Sequence, residues 1–251
     1  MNAVSIFRRI VGLALLAAAP LCLGGTGVSV GVYQPEGLNA TVLPELFKPW
    51  AASAGLRVTP LKSEDICSGH LKNVDVLAIA DAGSHSAAMN LSAAAKKAIQ
   101  SFVQAGGGYI GVCAGCTLAL DNSAGLGLLP LKSANPAGLK RGSLPMRLQM
   151  TRQGQNVLND DRKFLEATFD GGPVLEISKN PKSPHHFEPI GLFWEVNGAG
   201  AAKKNPLVFT PAVVIADCGN GRVVGFCIHP ERTPGLEGWL PSAIRWAARK
   251  K

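Results

Sequence analysis

The stretch Gly106 to Leu120, GGGYIGVCAGCTLAL, constrains this chain more than any other. An apolar run, Tyr109-Ile110-Gly111-Val112, leads into Cys113, and Ala114 to Leu120 then reads as the start of a helix. A strand that turns directly into a helix around one nucleophile needs glycines two residues before and two after it. A side chain at either place would collide with a neighbouring strand. Gly111 and Gly115 meet that need, so Cys113 is expected at the tip of an elbow, above the end of a sheet. The backbone N–H groups of the new helix have no partners inside it, so they are expected to lower the thiol pKa and to receive a developing oxyanion, with Ala114 as the first donor.

The rest of the chain can be read around that elbow. Val28 to Tyr33, Leu56 to Pro60 and Val74 to Ala80 are short apolar strands, the second ended by its proline. Leu43 to Ala54 carries Leu46, Phe47 and Trp50 at helical spacing, and Ser92 to Ala105 reads as a helix with Ser92 as its N-cap and Gly106 as its stop. Strands alternating with helices of this length predict an α/β fold. The expected form is a doubly wound, mostly parallel sheet with helices on both faces. From Leu126 to Ile177 the alternation is lost, and Pro145 to Met150 reads as a half-exposed strand. Two apolar runs around Gly219-Asn220-Gly221 then predict a hairpin, so extra antiparallel strands are expected in the C-terminal half. Trp239 to Lys250 closes the chain as an amphipathic helix.

With 251 residues and 47% hydrophobic residues, one sizeable domain over residues 26–251 is expected. Residues 1–25 read as a signal peptide: Arg8-Arg9 precede an apolar segment, Ile10 to Leu23, too short for a comfortable membrane span, and small residues follow. The expectation is therefore an exported, periplasmic or extracellular protein with no stable membrane span after cleavage; Cys22 is either lipidated or removed. The net charge of +8 is dispersed over pairs such as Lys96-Lys97 and Lys203-Lys204, with no aromatic-interleaved basic patch, which argues against nucleic-acid binding. Of six cysteines, loss of Cys22 leaves an odd number, so at least one thiol stays unpaired in an oxidising compartment. The pairing of Cys67, Cys116, Cys218 and Cys227 stays open, and Cys113-x-x-Cys116 admits a redox reading. No metal centre or cofactor is expected: the adjacent His185 and His186 would point to opposite faces of a strand, and no second ligand pair accompanies them.

Ligands of open α/β sheets gather at the carboxyl ends of the strands. Cys113 lies at one such end. The loop Asp81-Ala82-Gly83-Ser84 lies at another, which makes the N–H of Gly83 or Ser84 a candidate second oxyanion donor. His229 follows the strand Arg222 to Ile228, and Glu231, two residues on, can orient its ring. Cys113, His229 and Glu231 are thus the candidate catalytic residues.

GVCAG followed much later by GFCIHPE resembles the class I glutamine amidotransferase-like superfamily, whose members carry a G-x-C-x-G elbow and a late H-P-E. With FDGGPVL and PAVVIADCGNGRVVGFCIHPE in order, the chain looks most like the family named after the N-terminal domain of biotin-protein ligase. The resemblance spans most of Val28 to Trp246. It implies a flavodoxin-like core and a Cys-His-Glu site at Cys113, His229 and Glu231, with Asp170-Gly171-Gly172-Pro173 as a wall of the cleft. The family commonly has Pro-Gly-Gly where this chain has Asp81-Ala82-Gly83-Ser84. No ammonia-accepting domain is recognisable in the sequence, so the family's name is not carried over as an activity. The expected function is an exported cysteine-dependent hydrolase or amidase acting on a small-molecule or peptide amide. The alternative is a non-catalytic binding or sensor module of the cell envelope. The sequence leaves the oligomeric state open.

Overall fold

The computed structural model describes residues 27–36, 55–81, 90–136, 139, 142–179, 186–196 and 205–248. The expected signal peptide over residues 1–25, the expected helix over 43–54, and Gly83 and Ser84 lie outside the described residues.

The first part of the chain follows the alternating pattern. Strands β1 (Val28–Tyr33), β2 (Leu56–Leu61), β3 (Val76–Ile79) and β4 (Gly108–Val112) pair in parallel, in the spatial order β2-β1-β3-β4. Pro60 lies inside β2 rather than ending it. That strand is at the sheet edge, where a residue without an N–H forfeits no ladder bond. Helix α1 (Ser63–Cys67) and a 3-10 turn (His70–Asn73) join β2 to β3. Helix α2 (Ala93–Gln104) joins β3 to β4 and starts as expected: the Ala95 N–H donates to the Ser92 hydroxyl at 3.2 Å. The short α3 (Ala114–Ala119) follows β4.

Beyond α3 the chain builds a different kind of sheet. Strands β5 (Leu131–Ala134) and β8 (Val174–Ile177) form a separate antiparallel pair. Strands β6 (Ser143–Met150), β7 (Phe164–Asp170), β9 (Phe187–Val196), β10 (Pro211–Cys218) and β11 (Gly221–Phe226) join the main sheet. Helix α4 (Arg152–Leu158) links β6 to β7, and α5 (Trp239–Ala247) comes last.

The complete order is β2-β1-β3-β4-β11-β10-β9-β6-β7, nine strands in one sheet. Its first five strands run parallel, and every pairing from β11 onward through β10, β9, β6 and β7 is antiparallel. This corrects the expected fold class. The sheet is mixed, with four parallel and four antiparallel pairings, the separate β5–β8 pair is also antiparallel, and the helices among the described residues are few; it is not a doubly wound, flavodoxin-like parallel sheet. The turn between β10 and β11 shows the physical reason. Gly219 takes φ of 61° in a two-residue connection, and a connection that short can only reverse the chain, whereas a parallel neighbour needs a crossover of a dozen residues or more.

The core runs through both halves of the main sheet. Val30, Val32, Leu77, Ile79, Ile110, Val112, Val224 and Phe226 are fully buried in adjoining strands. Helix α5 rests on β1, β4 and β11, and α2 rests on β11. Strand β6 is half-buried and alternating, as its sequence predicts, with Met146, Leu148 and Met150 turned inward. Among the described residues no helix is long and apolar enough to cross a membrane.

Candidate active site

Three neighbouring parallel strands, β3, β4 and β11, end side by side, and the register decides what meets there. Ile79 pairs with Gly111, and Gly111 with Gly225, so two residues further on Asp81, Cys113 and Cys227 stand level. His229 lies two residues beyond Cys227. The separation of these residues in the sequence therefore vanishes at one sheet end.

Cys113 adopts φ 51° and ψ −103°, a conformation that side-chain-bearing residues avoid. It is held there from both sides. Its N–H donates to the Phe226 carbonyl at 2.9 Å, and its own carbonyl accepts from the Thr117 N–H at 3.0 Å. The two glycines of the elbow are required by close approach. A Cβ on Gly111 would lie 2.5 Å from the Gly115 carbonyl oxygen, and one on Gly115 would lie 1.9 Å from that of Ile79. The elbow read in the sequence is present.

His229 is fully buried. Its N–H donates to the Thr168 carbonyl at 3.2 Å, and its carbonyl accepts from the Thr233 hydroxyl at 2.8 Å, so both flanks of the residue are fixed. The ring nitrogen Nδ1 lies 2.7 Å from Oε1 of Glu231. That contact assigns the Nδ1 proton of the neutral ring and leaves Nε2 as the free acceptor. Nε2 is buried with no hydrogen-bond partner, as is Oε2 of Glu231. The Arg232 guanidinium lies 3.7 Å from Glu231 and 3.5 Å from the Asp170 carboxylate.

The sulfur of Cys113, a ring nitrogen of His229 and a carboxylate oxygen of Asp81 all lie within 4.8 Å of one another. The thiol also points at the Asp170 carbonyl, 3.9 Å away. Of the residues expected to line the cleft, Asp170 thus meets the sulfur through its main chain, while its carboxylate turns to Arg232. Gly172 packs against the strand end at Cys227, where an added Cβ would lie 2.1 Å from that residue's carbonyl oxygen. Gly171 is exposed, with φ of 70°.

The electrostatics reverse one expectation. Burial, with the Asp81 carboxylate as the next cause, pushes the Cys113 thiol up to about 12, and the Ala114 N–H opposes this without prevailing. Cys113 is only 2% exposed, and at that burial the loss of water outweighs one backbone donor of a six-residue helix. At neutral pH the resting group is a thiol.

Asp81 is the residue that sequence reading passed over as part of a loop. Its Oδ1 is buried without a hydrogen-bond partner. The available signal was its position just past a strand beside β4, and strand order is what a sequence hides. All five described cysteines are free thiols; Cys116 and Cys227 are fully buried beneath the elbow, and Cys67 is exposed.

No family model matches the chain, and no curated protein matches it in sequence. In three dimensions it is similar to a ThuA-like protein from Bacteroides uniformis, with a TM-score of 0.56 at 13% identity, over 91% of this chain and 95% of that one. A ThuA-like protein from Parabacteroides merdae gives 0.55 at 12% identity, over 88% and 90%. A cytoplasmic protein from Salmonella typhimurium gives 0.53 at 12% identity, over 89% of this chain and 100% of that chain. The resemblance to the biotin-protein ligase N-terminal family is accordingly corrected: neither search by sequence returns it, and the structural likeness lies with ThuA-like proteins. What the chain shares with these proteins is the fold.

Proposed function

We propose that the chain is a cysteine-dependent amide hydrolase in which Cys113 is the nucleophile, His229 the general base and acid, and Glu231 the group that orients the imidazole. The observation carrying this reading is the buried, unpartnered His229 Nε2 beside a thiol fixed on a glycine-flanked elbow. Because the resting sulfur is protonated, the proton moves in the same step as attack. Nε2 takes the Sγ proton as sulfur bonds to the amide carbon, and Glu231 stabilises the resulting imidazolium through Nδ1. The imidazolium returns that proton to the departing amine, leaving an acyl-thioester on Cys113. Water, deprotonated by the same nitrogen, then releases the carboxylic acid and restores the thiol. The substrate is a small-molecule or peptide amide, and the Ala114 N–H is the first donor to the oxyanion.

Incubation with a panel of amides, esters and a glutamine-like electrophile, followed by intact-mass spectrometry, tests the assignment. One adduct on Cys113 is expected, absent in Cys113→Ala and formed about 10²–10⁴-fold more slowly in His229→Gln. Absence of any Cys113 adduct across the panel would refute it. A second reading is favoured by the 2% exposure of Cys113 and the acidic neighbour of its thiol: a non-catalytic cleft that holds a ligand. In that case Cys113→Ser retains ligand affinity and biological effect. We also assign export to the Arg8-Arg9 and Ile10–Leu23 segment; a mature N-terminus near residue 26 by mass spectrometry supports it, and an intact Met1 in an envelope fraction counts against it.

A further inference from the structure

We propose that Asp81, Cys113 and His229 form a binding site for a divalent metal ion of the zinc class, with three protein ligands and one open position. Their donor atoms share a space within 4.8 Å, and they make the one such grouping of three or more among the described residues. Asp81 and His229 each carry a buried atom, Oδ1 and Nε2, with no hydrogen-bond partner. An orphaned polar atom is costly in a protein interior, so one on each of two residues grouped with a thiol calls for a shared partner.

The acyl-transfer reading accounts for His229 but not for Asp81. A carboxylate beside a nucleophilic sulfur opposes formation of the thiolate. A divalent cation resolves the conflict, since thiolate, neutral imidazole and carboxylate are the three donor types that zinc accepts. Sulfur and nitrogen donors disfavour magnesium and calcium, which take oxygen. The Glu231 carboxylate on Nδ1 supplies the outer contact that metal-bound histidines generally make, and it directs the Nε2 lone pair inward. Tetrahedral bonds of about 2.0–2.3 Å bring ligand atoms to roughly 3.3–3.8 Å apart, so from separations within 4.8 Å any two of them close by up to about 1.5 Å on binding. The Sγ proton leaves to solvent as the metal–sulfur bond forms. A metal held there occupies the sulfur lone pair needed for attack, so metal binding switches off the nucleophile. The inference shares residues with the hydrolase reading but does not rest on it.

The test uses the untagged full-length chain, stripped by a chelator and titrated first with Co²⁺ and then with Zn²⁺. The expected result is a thiolate-to-cobalt charge-transfer band with tetrahedral visible bands saturating at one equivalent, both displaced by Zn²⁺. Cys113→Ser abolishes the charge-transfer band, and Glu231→Gln weakens binding about 10–100-fold. A band that survives Cys113→Ser, or none at one equivalent, overturns the proposal. If the variants misfold, X-ray absorption of the zinc-loaded wild type decides: one sulfur at about 2.3 Å with nitrogen and oxygen completing the shell supports the site, and a shell without sulfur or with several sulfurs removes it. Acylation is assayed on the chelated protein, so metal binding without acylation, or acylation without metal binding, separates the two readings.

Discussion

Gly115 has no side chain because Ile79 leaves no room for one. The Ile79 carbonyl oxygen would sit 1.9 Å from its Cβ, and backbone on both sides of that contact belongs to the central sheet and the elbow helix. Gly115→Ala is therefore expected to destabilise the fold by about 2–3 kcal/mol, read as a lower urea midpoint with an unchanged slope. A smaller loss, below roughly 0.5 kcal/mol, would mean that the helix can slide away from β3. Residue by residue, the elbow was the most legible part of the sequence, since its glycine spacing is a local requirement of one sharp turn. The thiol's proton affinity was not legible. A helix start seen alone lowers a thiol pKa, and only burial and the carboxylate of a separate loop reversed the balance.

Among elements, the turn from Asp170 to Pro173 joins the antiparallel region to the site. It carries β7 to the carbonyl that faces the Cys113 sulfur, and it presses Gly172 onto the end of β11 at Cys227. An alanine at 172 would have to push the turn off that strand end. Gly172→Ala is expected to cost about 1–3 kcal/mol by denaturant unfolding and to speed alkylation of Cys113 relative to exposed Cys67, measured by peptide mapping. Unchanged labelling would show that the turn does not wall the sulfur. FDGGPVL was recognisable as a turn followed by a strand, and the hairpin around Gly219-Asn220 was equally plain. The direction in which the intervening strands join the sheet was not, because an alternating pattern such as that of β6 fits either neighbour.

For the molecule as a whole, Asp160 is a staple between distant parts of the chain. Its carboxylate accepts from Nε of Arg162 and from Nε1 of Trp239, each at 2.8 Å, and Arg162 donates in turn to the Gly235 carbonyl at 2.9 Å. The segment after α4 is thereby tied to the start of α5. Arg162, with Trp239 also contributing, holds the Asp160 carboxyl down at about 2, below its ordinary value of 3.8. A carboxylate depressed on folding stabilises the protein above its unfolded pKa, and that contribution is lost as pH falls through the window from about 4 to about 2. Asp160→Asn is expected to lower stability at pH 7 by about 1 kcal/mol, discounted for the exposure of Arg162, and to flatten the acid limb of a plot of unfolding free energy against pH. An acid limb identical to the wild type would dismiss the staple.

The sequence by itself determined the strand-to-elbow-to-helix unit, the edge and central apolar strands of the first half, and the pairing of His229 with Glu231. Each of these depends on residues close together in the chain, where sterics and spacing suffice. Only the tertiary structure decided the order in which β9, β6 and β7 extend the sheet beyond β10, and that Asp81 arrives beside Cys113 and His229. Both follow from strand order and register, which are fixed by how distant apolar faces bury one another, and no local run of residues encodes that choice.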